Sequence, residues 1–167
     1  YYYGRNGKQQ DYKMAVSLFL KSAQMGYAYA QYSLAFCYHK GKGVNVDYVE
    51  AAKWYLKAAE LGNTSAQCEY ALCCKSGRGV PLDLSEAFKW LSKSANSGYT
   101  RAQELLGDYY YKGDGVERSM EKAKYWYEKA AEKGSEMAKK ALADGCTATN
   151  PRIPTLQEIE QIYKDLW

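Results

Sequence analysis

The chain has 167 residues, and its 23 Lys and Arg outnumber its 19 Asp and Glu to give a formal net charge of +4. Charges of both signs are interspersed along the sequence, so no basic block is present that would indicate nucleic-acid binding. No apolar run approaches the roughly 20 residues that a membrane-spanning helix needs, so we expect no direct insertion into a membrane.

A single spaced pattern recurs through most of the sequence and decides the fold class. A Gly-x-Gly pair, a Trp and a later Gly each return after a step of 36 residues, as in Gly41, Gly77 and Gly113. The other copies are Gly43, Gly79 and Gly115 for the second glycine, Trp54, Trp90 and Trp126, and Gly62, Gly98 and Gly134. A strict period of this length indicates stacked units that bury their apolar faces against one another, and not one globular core.

The first ten residues read as the end of a helix. Tyr2 occupies the column of Tyr38, and the turn that follows has Arg5 in place of the first glycine. The chain has no initiator Met and no signal peptide at this end. We therefore expect that further repeat sequence preceded residue 1.

A first kind of helix is predicted four times, over roughly 11–25, 47–61, 83–97 and 119–133. Each is preceded by a residue whose side-chain oxygen can accept N–H groups of the first turn, namely Asp11, Asp47, Asp83 and Ser119. Each is followed by a glycine suited to a left-handed C-cap, namely Gly26, Gly62, Gly98 and Gly134. Glu50 and Glu86 lie three residues after an Asp N-cap, which predicts a reciprocal capping box in the two middle copies.

These helices carry columns of small and very large side chains. The columns are Ala15, Ala51, Ala87 and Ala123; Leu18, Trp54, Trp90 and Trp126; and Ala23, Ala59, Ala95 and Ala131. Small residues let neighbouring helices approach closely while the aromatic rings fill the remaining space, so we interpret the Trp column as core. A further column, Lys21, Lys57, Lys93 and Lys129, predicts a solvated outer face.

A second kind of helix is predicted over roughly 28–40, 64–76 and 100–112. Its packed face has positions four apart, occupied by Ala30, Leu34 and Tyr38, by Ala66, Tyr70 and Cys74, and by Ala102, Leu106 and Tyr110. Each copy ends at a Gly-x-Gly-Val turn, whose Val44, Val80 or Val116 we expect to fill the junction. Two helices in each period predict an all-α solenoid of antiparallel helix hairpins.

The array ends near residue 146. A last helix over roughly 136–144 keeps Ala138, but no Gly-x-Gly turn follows it. Residues 147–167 read as a linker and an amphipathic helix that begins near Thr155. This helix is either an atypical cap on the exposed end of the solenoid or a segment that docks on another chain, and the cap is the favoured interpretation.

The pattern from Ala30-Gln31 through Leu34, Tyr38, Gly41-x-Gly43-Val44, Asp47, Ala51, Trp54-Tyr55, Ala58-Ala59 and Gly62 resembles the Sel-1-like repeat, a relative of the tetratricopeptide repeat. Three full copies at about 28–62, 64–98 and 100–134, with half copies on both sides, cover residues 1–146. The resemblance implies a non-enzymatic adaptor or scaffold that binds a protein or peptide. A regulatory module of a larger enzyme, docking through its C-terminal helix, is the alternative.

If the array resembles tetratricopeptide proteins, the second kind of helix lines its concave side, and a partner would contact the positions opposite the packed face. These positions are Tyr29, Tyr32, Phe36, His39 and Lys40 in the first copy, Ser65, Cys68, Leu72, Lys75 and Ser76 in the second, and Arg101, Glu104, Asp108, Tyr111 and Lys112 in the third. Aromatic residues with charges at their edge suit the burial of a peptide's apolar side chains. Equally, Tyr29, Tyr32 and Phe36 could pack against other helices as core.

Catalysis and cofactor binding have little support in the sequence. His39 is the only histidine, no metal-ligand spacing occurs, and the Gly-x-Gly turns join helices and do not follow strands. We therefore expect no enzyme activity, no cofactor and no metal, in a monomeric module. The five cysteines show no disulfide pattern, so we expect Cys37, Cys73 and Cys74 in the core and favour a reducing compartment such as the cytoplasm.

Overall fold

The computed structural model of the protein describes residues 11–146, with side chains for residues 11–144. Within this range the chain forms eight α-helices, a π-helical turn and no strand. The helices are α1 (Tyr12–Gln24), α2 (Ala28–Lys40), α3 (Tyr48–Glu60), α4 (Thr64–Ser76), α5 (Leu84–Asn96), α6 (Thr100–Lys112), α7 (Met120–Glu132) and α8 (Glu136–Ala141). The predicted all-α fold is confirmed, and α1 to α7 end within one residue of their predicted bounds.

Successive helices pack as hairpins. The most extensive contacts join α2 to α3, α4 to α5 and α6 to α7, and somewhat smaller contacts join α1 to α2, α3 to α4 and α5 to α6. Each helix therefore contacts mainly its neighbours along the chain, as a solenoid requires. Val44, Val80 and Val116 pack against the core clusters at the junctions, as predicted.

The predicted N-caps are present. Asp47 has an extended backbone, and its carboxylate accepts a hydrogen bond of 2.9 Å from the N–H of Glu50. Asp11, Asp83 and Ser119 cap α1, α5 and α7 in the same way. Since the first N–H groups of a helix have no partner within it, these caps fix where each helix begins.

The second half of the predicted capping box is wrong. The N–H of Asp47 donates to the carbonyl of Tyr38 at 3.0 Å, so it does not need the carboxylate of Glu50. Glu50 instead pairs with Lys53 at 2.7 Å. In the next copy the carboxylate of Glu86 accepts a hydrogen bond of 2.6 Å from Nε1 of Trp90. The glutamate at this position therefore interacts with a side chain of its own helix, three or four residues further on.

The two glycines of each Gly-x-Gly turn have different roles. Gly77 is the left-handed C-cap of α4, with φ of 66°, and its N–H donates to the carbonyl of Cys73. Gly79 instead lies against the start of α3, where a Cβ would overlap the carbonyl oxygen of Tyr48. A Cβ on Gly115 would likewise lie 2.6 Å from the carbonyl oxygen of Leu84. The second glycine thus allows a backbone-to-backbone contact between successive repeats.

The core is built from small residues and a few large rings. The alanines of the columns are almost completely buried between helices, except for Ala131, which is partly buried. The large side chains Tyr55, Leu34 and Leu106 are also buried in this core. Cys37, Cys73 and Cys74 are buried free thiols, as predicted. Burial raises the pKa of the Cys37 thiol to about 11 and that of Cys73 to about 12, so both stay protonated and unreactive at neutral pH.

The Trp and Lys columns interact with each other. Nζ of Lys57 lies 4.3 Å from the ring centroid of Trp54, and Nζ of Lys93 lies 4.2 Å from that of Trp90. The Trp rings are buried or partly buried, as predicted for core residues. The lysines are more than a solvated face, because they cover the outer sides of the rings by cation–π contacts.

A buried glutamine column is a structural feature that the sequence analysis did not assign. Nε2 of Gln67 donates to the carbonyl of Ala59 at 3.1 Å. Gln31 and Gln103 make the same bond to Ala23 and Ala95 at 3.1 and 3.2 Å. Each of these carbonyls lies in the last turn of a helix and also accepts a hydrogen bond from the N–H of the glycine that follows it. The glutamine adds a second donor from the first turn of the next helix and so joins the two helices.

The C-terminal end differs from its prediction. The helix α8 ends at Ala141 and continues as a π-helical turn over Leu142–Cys146, whereas the sequence predicted one helix over 136–144. The predicted turn within residues 1–10 and the predicted amphipathic helix near Thr155 lie outside the described residues.

The contact of the second glycine is tested by Gly79→Ala. A methyl group there collides with the backbone of Tyr48 and also places alanine at a positive φ. Gly62→Ala is the matched control, because Gly62 has φ of 86° but no atom within 4 Å of an added Cβ. We expect Gly62→Ala to lower the free energy of unfolding by about 1–2 kcal/mol and Gly79→Ala to lower it by about 1–3 kcal/mol more. Equal losses in urea titrations would contradict this contact.

Candidate partner-binding groove

The candidate site consists of the outward side chains of α2, α4 and α6, which we call the α2/α4/α6 face. Two ion pairs cross it. Arg101 on α6 pairs with Glu69 on α4, and Lys75 on α4 pairs at 2.9 Å with Asp114, which follows α6. Because these pairs link helices one repeat apart, a ligand lying across the face would contact side chains from more than one repeat.

The first copy supplies the aromatic part of the face. Tyr29 is exposed over 65% of its surface and Lys40 is also exposed, whereas Tyr32, Phe36 and His39 are partly buried. Tyr32 packs against the core, with its ring centroid 5.9 Å from that of Tyr55. The exposure of the predicted aromatic row therefore differs along α2, because Tyr29 is mostly exposed and the rings of Tyr32 and Phe36 are partly buried.

The second copy contains one wrong prediction. Leu72 and Lys75 are partly buried on the face, but Cys68 is 0% exposed and cannot contact a partner. Its thiol is shorter than the side chains of Tyr32 and Glu104 at the equivalent positions, so it remains in the core beneath the surface. Burial raises the pKa of Cys68 to about 12.

The third copy supplies charged groups. Arg101, Tyr111 and Lys112 are exposed, whereas Glu104 and Asp108 are partly buried. The carboxylate of Glu104 accepts a hydrogen bond from Ser135, and that of Asp108 accepts one of 2.6 Å from the hydroxyl of Tyr127. Both acids line a cavity of about 240 Å³ between α6 and α8, together with Tyr127, Met137, Lys140 and Asp144.

One residue of the face and one residue beneath it were not predicted. Glu69 on the face is partly buried and pairs with Arg101, so it helps to hold α4 and α6 in register. Tyr55 belongs to α3 and is 0% exposed, yet the rings of Tyr32 and His39 lie 5.9 and 6.1 Å from its own. The sequence signal for Tyr55 was its place beside Trp54 in the repeat, which indicates core and says nothing of its hydroxyl.

His39 lies at the end of this aromatic cluster. Its ring makes an edge contact with Tyr48 at 5.5 Å, and its Nδ1 atom is buried with no hydrogen-bond partner among the described residues. Burial lowers the pKa of His39, and the positive charges of Lys40 and Arg78 lower it further against the opposing effect of Glu69. His39 is therefore neutral at physiological pH.

A comparison with known proteins follows from this geometry. The family model described as the Sel1 repeat matches residues 1–27, 28–63, 64–99 and 100–135. The chain belongs to the Sel1-repeat family. The resemblance inferred from the sequence is thereby confirmed. The second, third and fourth matched stretches begin at the helices α2, α4 and α6 of the candidate face.

Three solved structures are similar to this Sel1-repeat chain. A Sel1 repeat protein from Oxalobacter formigenes is 35% identical, with a TM-score of 0.78 over 86% of this chain and 60% of its own. The antigen c5321 of uropathogenic Escherichia coli, described as having an SLR fold, is 37% identical, with a TM-score of 0.80 over 85% of this chain and 31% of its own. The Helicobacter pylori cysteine rich protein B is 24% identical, with a TM-score of 0.63 over 78% and 94%, and shares the fold.

No curated protein is significantly similar to the chain. The chain spans 60% of the Oxalobacter protein and 31% of c5321, so it corresponds to part of each. Sel1-repeat proteins generally mediate protein–protein interactions and are typically non-enzymatic scaffold modules.

None of the helices between residues 11 and 146 is long and apolar enough to cross a bilayer. The same residues contain no group of three or more His, Cys, Asp or Glu side chains placed to hold a metal ion.

The lowered pKa of His39 predicts a pH dependence of stability. Near that pKa the folded chain binds fewer protons than the unfolded chain, whose histidine has a pKa of about 6.5. The contribution of neutral His39 to the free energy of unfolding is therefore fully present above about pH 6.5, and it is lost as the pH decreases below that value. We expect the urea midpoint to be lower at about pH 5.5 than at about pH 7.5, and this difference to shrink in His39→Gln, which removes the only histidine. An unchanged difference would show that other groups cause it.

Replacing tyrosine by phenylalanine should change the free energy of unfolding differently at Tyr127 and at Tyr55. Tyr127→Phe removes the bond to Asp108 and should lower the free energy of unfolding by about 1.5–3 kcal/mol, because the acceptor is charged. Tyr55→Phe removes a buried hydroxyl that has no hydrogen-bond partner in the described part of the chain, so it should leave stability unchanged or raise it. Urea titration of both variants checks this, and a loss in Tyr55→Phe equal to that in Tyr127→Phe would contradict it.

Proposed function

We propose that this Sel1-repeat chain is a non-enzymatic adaptor that holds a peptide or a partner protein on its α2/α4/α6 face, taken as the concave side of the solenoid. The observation that carries the proposal is the aromatic row on α2. Tyr29 is largely exposed, and Tyr32 and Phe36 lie beside it with part of each ring accessible. Aromatic rings of this kind are the residues that most often dominate binding energy at protein interfaces.

The rest of the face suits the rim of such a site. Lys40, Arg101 and Lys112 are exposed charges around the aromatic row. Charges at a rim fix the register and orientation of a partner more than they add affinity. The ion pair between Glu69 and Arg101 also holds α4 and α6 in place before a ligand arrives, which reduces the entropy lost on binding.

The three helices of the face are anchored in the same way. Each ends at a left-handed glycine C-cap and is joined by a glutamine hydrogen bond to the preceding helix, while the side chains of the face vary from copy to copy. Rigid helices that present varying side chains are a suitable scaffold for recognition.

Peptide selection followed by point substitution tests the proposal. A peptide would first be selected from a random phage library on the full chain. Calorimetry would then give the affinity of this peptide for the native protein and for Tyr29→Ala, Phe36→Ala and Tyr125→Ala. We expect Tyr29→Ala and Phe36→Ala to weaken binding by about 1–3 kcal/mol each. Tyr125→Ala removes a tyrosine that is 51% exposed on α7, away from the face, and should have no effect.

Circular dichroism of each variant completes the test. A loss of helix in Phe36→Ala would mean that this ring is core, and Tyr29→Ala would then decide the proposal because its ring is mostly free. A peptide that lost affinity for Tyr125→Ala and not for Tyr29→Ala would place the binding site on the outer helices.

A further inference from the structure

The hydroxyl of Tyr55 is a buried polar group with no hydrogen-bond partner among the described residues. The residue itself is 0% exposed. Burial strongly raises the pKa of this phenol, so the group remains a proton donor at any physiological pH. An unsatisfied buried donor is costly and needs an explanation, such as a bound molecule that supplies the acceptor.

The equivalent positions of the other copies show what is missing. In the third copy Tyr127 occupies the position of Tyr55, and its hydroxyl bonds to Asp108 at 2.6 Å. The residue equivalent to Asp108 in the first copy is Phe36, which has no polar atom. In the second copy the two positions hold Leu72 and Leu91, so no donor is present there to satisfy. Only the first of these three pairs combines a tyrosine hydroxyl with an apolar neighbour.

The orphan hydroxyl lies under the proposed binding face. The rings of Tyr32 and His39, which are both partly buried, lie 5.9 and 6.1 Å from the ring of Tyr55. Because Tyr55 is 0% exposed, a ligand on the face would reach the hydroxyl only if neighbouring side chains moved. Nδ1 of His39 is a second buried polar atom in the same cluster that has no partner in the described structure.

Charges of both signs lie around this cluster. Besides burial, the carboxylate of Glu69 raises the pKa of Tyr55, and this carboxylate pairs with Arg101. Lys40 follows His39 directly, and the guanidinium of Arg78 lies 5.7 Å from the ring of Tyr48, which contacts His39. Since hydrogen bonds to a charged acceptor are about twice as strong as neutral ones, a carboxylate would gain most from this site.

We infer that the first full repeat recognises an Asp or Glu side chain of an internal peptide segment, whose carboxylate accepts a hydrogen bond from the Tyr55 hydroxyl between Tyr32 and Phe36. This inference rests on the proposed function and adds the chemistry of the ligand. The matching position in the third copy is already filled by Asp108, so the peptide's acid would reproduce within the first copy a contact that the third makes internally.

Two peptide pools provide the test. Both carry a fluorophore at the N-terminus and an amide at the C-terminus, with Leu and Phe flanking a fixed central Glu in one pool and a fixed central Gln in the other. Fluorescence anisotropy would give the affinity of each pool for the full chain, Tyr55→Phe and Tyr125→Phe. Tyr125 is the matched control, because it is an exposed tyrosine on α7, outside the α2/α4/α6 face.

We expect the Glu pool to bind the native chain at least about tenfold more tightly than the Gln pool, and Tyr55→Phe to remove most of that preference. Tyr125→Phe should retain it. Equal binding of the two pools would leave the proposed groove standing and overturn the inference. A preference for Glu that persists in Tyr55→Phe would also overturn it, since the hydroxyl would then be satisfied otherwise, for example by buried water. Failure of both pools to bind would count against the groove and the inference together.

Discussion

The stacking of this solenoid depends on a backbone contact that only glycine permits. The second glycine of each Gly-x-Gly turn lies against the first residue of the helix one repeat earlier, as Gly79 does on Tyr48. A side chain at this point would push the turn outward and separate α4 and α5 from α3. The alanine columns and the hydrogen bonds of the glutamines are effective only at that short separation, so the core follows from the contact.

Much of the fold could be predicted because it depends on local sequence signals, the helix caps and glycine turns, that recur in every copy. Asp47 before an apolar run and Gly62 after it mark one helix whatever packs around them, and the period of 36 residues then places the rest. The failures occur where a partner from elsewhere decides the outcome. Glu50 resembled half of a capping box, but the N–H of Asp47 was already taken by the carbonyl of Tyr38.

The candidate site was harder to predict for the same reason. Helical spacing placed Tyr29, Tyr32 and Phe36 on the face. Spacing predicts which way a side chain points but not whether it is long enough to reach the surface. The prediction therefore also included the short side chain of Cys68, which is buried. Tyr55 was not predicted because its role depends on the residue opposite it. The hydroxyl of Tyr127 is satisfied by Asp108, whereas the hydroxyl of Tyr55 has no partner in the described residues and the position equivalent to Asp108 holds Phe36. No pattern within one helix shows that difference.

In a repeat protein, identical positions serve as internal controls for one another. Residues that agree between copies, such as the caps and glycines, maintain the stack, and each copy shows that the arrangement is sufficient for folding. When one copy differs from the others in a way that lowers its own stability, selection for function is the simplest explanation of the difference. The buried hydroxyl of Tyr55 is such a departure, and its position beneath the aromatic row links the cost to the surface where a partner would bind.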